Sequence, residues 1–203
     1  MRWSWRCNSP NPPPPGLSPF PFSTFLLIPH ARVAGSDTTA NAIRLTLLAL
    51  LTTPSAFSAL QSEIAHAISH KLISSPITNA EAQALPYLQA VIREGIRLYP
   101  PSNSTFDKLV PPGGVTLHGY FLPEGTELAT NTILMTRSKE TFGPDADVFR
   151  PERWVEMANT DPVRYKEWCG TVEVVFGYGR YACLGKTLAL MELNKILVEV
   201  SPR

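Results

Sequence analysis

Four consecutive prolines, Pro12 to Pro15, constrain this chain more than any other feature. Proline fixes φ and has no N–H to donate, so such a run is held in extended polyproline II and no helix passes through it. Eight of the 20 prolines lie before residue 30, whereas average usage of roughly 5% would spread about ten over the whole chain. The chain therefore reads as residues 1–29, a proline-rich unassigned segment, followed by residues 30–203, which carry the folded domain. Three readings of the first segment stand side by side: a ligand for aromatic grooves, a disordered leader, and a translated splicing signal. The third rests on codon chemistry. Pro, Phe, Ser and Leu all have pyrimidine-only codons, so the stretch Pro19 to Leu27 has the composition of a pyrimidine tract ahead of a splice site.

Composition narrows the function classes. With 44% hydrophobic and 17% charged residues and a net charge of +1, the 203-residue chain fits one globular domain or part of a larger one. No basic excess exists to neutralise phosphates, which excludes a nucleic-acid partner on charge. The apolar run Phe25–Ile28 is far below a membrane span of about 20 residues, and no small-residue cleavage site follows it. Three cysteines, Cys7, Cys169 and Cys183, do not form a disulfide framework. His66 and His70 form an i,i+4 pair, read as a solvent-facing helix edge.

Helical periodicity predicts elements over about 31–52, 54–70, 86–98 and 184–200. The first is apolar around most of its circumference and is expected to be buried. Thr53-Pro54 reads as an N-cap with proline at the first helical position. Thr78 and Glu81 fit a capping box. Short strands are expected at Val115–Leu117, Tyr120–Leu122 and Glu127–Thr130. Pro123-Glu124-Gly125 suits a turn with proline second and glycine fourth. A loop-rich stretch is expected from there to about 182. The fold class is mainly α with a small β region.

Four motifs carry chemistry. Phe176 to Gly185, reading FGYGRYACLG, delivers Cys183 on a small-residue loop to the start of a helix. Helix N–H groups and the helix dipole stabilise a thiolate there, and the glycines at 177, 179 and 185 admit a flat ligand or a second backbone. Such a cysteine is a nucleophile, a metal ligand or an inert buried thiol. Glu94 and Arg97 share one helix face with Tyr87, Val91 and Leu98, so two readings stand: a buried pair that needs further hydrogen-bond partners, or a solvated pair worth a few tenths of a kcal/mol, which spacing alone favours. Pro151-Glu152-Arg153-Trp154 offers a further arginine. Asp37-Thr38, after Gly35, places an acid beside a hydroxyl in an apolar helix: either a proton relay or an N-terminal cap by Ser36 or Asp37.

In series, AGSDTT, EGIR, PERW and FGYGRYACLG resemble the cytochrome P-450 family, the haem-thiolate monooxygenases, over about residues 31–203. The likeness is to the C-terminal half of that fold, truncated at both ends, and within it to the fungal pisatin demethylase-like group. It implies Cys183 as the proximal thiolate on the iron of haem b. Phe176 would pack beside the thiolate, and Gly179 and Gly185 would clear space for the porphyrin. Glu94, Arg97 and Arg153 would form a buried charge triad. Ala34 and Gly35 would lie over the distal face, Asp37 and Thr38 would deliver protons to dioxygen, and Thr39 would support that turn. Pro101 to Phe106 would line the substrate pocket. The family often has Arg or His two residues before the cysteine, facing a haem propionate; here Tyr181 stands there and Arg180 one residue earlier.

The implied partners are a small organic substrate and an NADPH-dependent reductase, with membrane contact only through an anchor absent from this chain. Endoplasmic reticulum membrane is the location implied for a full-length eukaryotic relative. Two readings of function follow: a monooxygenase inserting one oxygen atom of dioxygen into an organic substrate, or a truncated, non-catalytic fragment with weak or no haem binding. Intact Asp37-Thr38 argues against a third, a peroxide-using or isomerase relative.

Overall fold

The computed structural model describes residues 21–102 and 107–201. Pro12–Pro15 and Cys7 lie outside that range, as do residues 103–106 of the expected pocket-lining stretch. Contacts divide the chain into two units, one ending at Ala34 and the other running Gly35–Arg203.

Helix α1, Pro21–Leu51, begins upstream of the expected start at residue 31. Pro21 stands at its first position, where a missing N–H costs nothing, and Pro29 forfeits one internal bond. Over the described side chains of α1, from Val33 on, burial follows one stripe, Thr39, Ala42, Thr46, Ala49 and Leu50, while Val33, Leu48 and Leu51 are exposed. The expected all-round burial is thus corrected to a single face at helical spacing.

Helix α2, Pro54–Ser69, sets off at 105° to α1 and buries Ala56, Leu60, Ile64 and Ala67. Thr53 occupies the cap position, but its side chain makes no capping hydrogen bond. Helix α3, Asn79–Gln83, is closed by the capping box: Thr78 Oγ1 accepts from the Glu81 N–H at 3.3 Å, and Glu81 Oε2 accepts from the Thr78 N–H at 2.8 Å. No single helix among the described residues is long and apolar enough to cross a membrane.

Helix α4, Pro86–Leu98, is the centre of the molecule. Every residue from Ala90 to Leu98 except Arg93 is buried. At Gly95 it meets α1 so closely that a Cβ would fall on the side chain of Thr46, 2.9 Å from its Cγ2. Glycine costs a helix interior about 0.5–1 kcal/mol against alanine; here it permits the close packing of two helices.

The β region is two separate antiparallel pairs: β1, Lys108–Leu109, with β4, Glu127–Leu128, and β2, Val115–Leu117, with β3, Tyr120–Leu122. Strands β2 and β3 fall where expected, β4 is shorter, and β1 was not foreseen. His118 and Gly119, with φ of 48° and 84°, join β2 to β3 in the left-handed conformations that a two-residue hairpin needs. The expected turn is shifted by one residue. The Thr126 N–H donates to Pro123 O at 3.2 Å, so Pro123 comes first and Gly125, at φ 78°, third. Only glycine takes that positive φ without strain.

The stretch expected to be loop-rich is largely helical: α5, Thr132–Thr136; α6, Lys139–Phe142; α7, Glu152–Thr160; and α8, Pro162–Glu173. Side-chain caps start three of them, with Asn131, Ser138 and Asp161 accepting from Leu134, Thr141 and Arg164 N–H. Helix α9, Lys186–Glu199, closes the fold. Helices α2, α3, α5, α7, α8 and α9 all pack on α4, and Phe142, Trp154, Tyr165 and Trp168 form an aromatic cluster between α6, α7 and α8.

Candidate functional site

Both ends of α4 are held by side chains from elsewhere in the chain. Glu63 on α2 accepts from the N–H groups of Tyr87 and Leu88 at 2.8 and 2.9 Å, satisfying two orphan donors of the first turn. Burial pushes the Glu63 carboxyl above the usual carboxylate range against these two bonds. Arg137 donates to Leu98 O at 2.6 Å at the other end. The helix so fixed presents Glu94 and Arg97 inward.

Glu94, Arg97 and Arg153 meet with their side chains wholly buried. Arg97 grips Glu94 in a fork, Nε to Oε2 and Nη2 to Oε1, both 2.8 Å. Arg153 Nε reaches Oε1 at 3.0 Å, the Arg150 N–H donates to the same oxygen at 3.0 Å, and Trp154 Nε1 donates to Oε2 at 2.8 Å. Five donors saturate one carboxylate. The remaining arginine N–H groups find the carbonyls of Thr136, Ala146 and Val148 for Arg97 and of Phe142, Asp145 and Val148 for Arg153, whose Nη1 also donates to Asp145 Oδ1. A buried ion pair survives desolvation only when its other donors and acceptors are satisfied in this way. Helix spacing read as a solvated surface pair; the partners that bury it come from a segment some sixty residues away. Trp154 was not foreseen as a member. Its signal was an indole N–H, which needs an acceptor when buried, directly after Arg153.

Cys183 lies on the loop before α9 and is exposed. Its N–H donates to Phe176 O at 2.7 Å, closing the loop on itself. Gly177 takes φ 71°, and a Cβ there would sit 2.6 Å from Tyr181 O, so this closure requires glycine. Gly179 has open space where a Cβ would be, and a Cβ on Gly185 would lie 3.9 Å from Cys183 Sγ. Tyr178, Tyr181, Leu184 and Leu188 are exposed nearby in sequence, and Phe176 is half-buried. Gly185, rather than Cys183, is the residue capping α9. The side chain of Arg180 lies outside the described residues. Cys169, by contrast, is half-buried on α8, where burial pushes its thiol up.

Ala34, Gly35, Ser36, Asp37 and Thr38 are exposed on α1, and Thr39 is buried. They stand mid-helix, so the reading of Ser36 or Asp37 as an N-terminal cap is corrected. A Cβ on Gly35 would meet nothing within 4 Å. His66 and His70 are exposed at the end of α2, with ring centroids 4.0 Å apart.

The cytochrome P450 family profile matches residues 28–200. The chain belongs to the cytochrome P450 family. Cytochrome P450 monooxygenase aba1 of Botryotinia fuckeliana is 48% identical over 168 residues, 83% of this chain and 32% of the relative. Cytochrome P450 monooxygenase abl1 of Leptosphaeria maculans is 46% identical over 167 residues, 82% of this chain and 29% of the relative. Pisatin demethylase of Fusarium vanettenii is 36% identical over 167 residues, 82% of this chain and 30% of the relative. The chain spans about a third of the length of the curated relatives it matches. As a P450, the chain bears out the expected fold class, part of a mainly helical fold with a small antiparallel β region, and the fungal likeness.

Proposed function

We propose that residues 30–203 form part of a haem-thiolate monooxygenase domain and that Cys183 is the iron ligand. The observation that carries this is the cysteine loop. It is folded into one closed form by the Cys183–Phe176 backbone bond and Gly177, yet it leaves the sulfur exposed. The donor set fits haem: one thiol of soft-ligand chemistry, flanked by open backbone at Gly179 and beside exposed apolar and aromatic side chains. Bound there through a thiolate, haem supplies activation of dioxygen for insertion of one oxygen atom into an organic substrate.

The chain's own residues do the rest. Phe176, whose carbonyl holds the Cys183 N–H, would pack beside the thiolate. Gly179 and Gly185 leave room for a flat macrocycle, and Arg180 is the cation suited to a propionate. Ala34 and Gly35 keep the helix surface small where they stand. Asp37 and Thr38, an acid and a hydroxyl at consecutive positions, would relay protons from solvent to dioxygen. Glu94, Arg97 and Arg153 fix the scaffold on which the cysteine loop rests. A small organic molecule is the substrate and an NADPH-dependent reductase the electron donor; the endoplasmic reticulum membrane is the location of a full-length eukaryotic relative.

The second reading, a non-catalytic fragment, is favoured by the exposure of Val33, Leu48 and Leu51 on α1, an apolar surface left open to water. One experiment separates the two. The purified chain is supplied with haem, reduced and exposed to carbon monoxide. The first reading expects the red-shifted Soret band of thiolate-ligated ferrous haem, lost in Cys183→Ala. No such band, or one that survives in Cys183→Ala, overturns it.

A further inference from the structure

The buried cluster has a charge problem that its hydrogen bonds do not solve. Glu94, Arg97 and Arg153 sum to one net positive charge, and all three side chains are fully buried. Carbonyls satisfy guanidinium N–H groups but carry no countercharge. An uncompensated buried ion costs several kcal/mol. The missing negative charge stands at the edge of the cluster. Asp145 Oδ1 lies 3.1 Å from Arg153 Nη1, with its side chain 36% exposed. Its other oxygen lies 2.8 Å from Arg150 Nε, and Arg150 Nη1 lies 2.7 Å from Glu156 Oε2. The charges therefore alternate, Arg97, Glu94, Arg153, Asp145, Arg150, Glu156, three of each sign, from the fully buried interior out to solvent.

We propose that Asp145 is a positioning residue of this cluster: its carboxylate neutralises Arg153 and so allows two buried arginines to share the single carboxylate of Glu94. It is the innermost charge of the series that water reaches, so it is also where acid enters. Burial acts to raise the Asp145 carboxyl, but the hydrogen bonds and charges of Arg153 and Arg150 outweigh it and hold the group below the usual range. A depressed carboxyl contributes stability that is complete above its unfolded value, near 3.9, and is lost as pH falls through the folded value. The ionised groups paired directly with Asp145 are these two arginines, with Glu156 behind Arg150 and the exposed Lys139–Asp147 pair, 3.8 Å apart, on the neighbouring turn.

The test needs no haem, so its outcome is independent of the proposed iron site. Urea unfolding of the 203-residue chain and of Asp145→Asn is measured from pH 3 to pH 8, with Asp145→Glu as the conservative rescue. The expected result is a roughly tenfold fall in the folded-to-unfolded ratio at neutral pH for Asp145→Asn. The two curves converge in acid, and Asp145→Glu recovers part of the difference. Parallel curves, or an unchanged Asp145→Asn, overturn the proposal. If Asp145→Asn does not fold, the parent chain decides by NMR. The Asp145 carboxyl should titrate below the usual range together with loss of the Trp154 indole N–H signal; an indole signal that persists after Asp145 is protonated overturns it.

Discussion

The charge cluster behind α4 and the cysteine loop before α9 are both polar sites, and they are built on opposite plans. At the cluster every side chain is buried, and five donors crowd one carboxylate. At the loop the sulfur is exposed and Gly179 stands in open space, while Gly177 is packed against Tyr181 O. The first is complete within the chain. The second is closed in backbone by the Cys183–Phe176 bond and open in its side chains. Burial makes the cluster costly to disturb, and exposure makes the cysteine cheap to replace. Folding energy and chemistry are thus assigned to different residues of one scaffold.

The largest expected effect breaks this comparison from the buried side. Glu94→Gln leaves two buried guanidiniums facing a neutral amide, and loss of a buried ion-pair partner costs about 3–5 kcal/mol. Cys183→Ser, on the open side, is expected to change stability by no more than about 0.5 kcal/mol. Urea unfolding of the two variants measures both, and equal losses would erase the distinction drawn here.

A smaller effect is expected at the crossing of α1 and α4. Gly95→Ala drives a methyl group into Thr46 and is expected to cost about 1–3 kcal/mol. Among the described residues the Thr46 hydroxyl has no hydrogen-bond partner, so Thr46→Ala removes the obstruction without breaking a bond. The double variant should recover most of the loss, and a double-mutant cycle on thermal unfolding reads the coupling.

The smallest effect is at the surface. Glu81 in the capping box has its carboxyl lowered to about 2 by hydrogen bonds from the Thr78 backbone and from the Ser74 and Thr78 side chains. Its contribution is present above the unfolded value and is lost as pH falls toward 2. Glu81→Gln should therefore lower stability slightly at neutral pH and converge with the parent chain as pH falls toward 2, which flattens the acid limb of the curve. This exposed cap sharpens the contrast with Glu94, which has no water to fall back on.

These contrasts also explain what was legible in the sequence. Helices α2, α4 and α9 were readable because proline starts and apolar spacing are local signals, and the Thr78–Glu81 box because its partners are three residues apart. Helix α8 was missed although Asp161-Pro162 is a start signal of the same kind. Its buried residues, Trp168 and Val172, are too few to set up a period. The burial of α1 was overestimated because an apolar residue at Leu48 or Leu51 looks the same in sequence whether or not anything covers it. At the candidate site, Glu94 and Arg97 were visible as a pair. Their burial is a tertiary fact supplied by Arg153 and Trp154, and only the four motifs in series pointed to it. Glu63, Arg137 and Asp145 carry no local signal at all.

The separation in sequence of this cluster sets an order of events during synthesis. Glu94 and Arg97 leave the ribosome together, but Arg153 follows 59 residues later. At about 5–20 residues per second, that gap is roughly 3–12 seconds. Through that interval the acid and its first arginine remain hydrated neighbours on a nascent helix. Dehydration waits for the segment carrying Arg153 and Trp154, so the interior is sealed by its most charged members and sealed late.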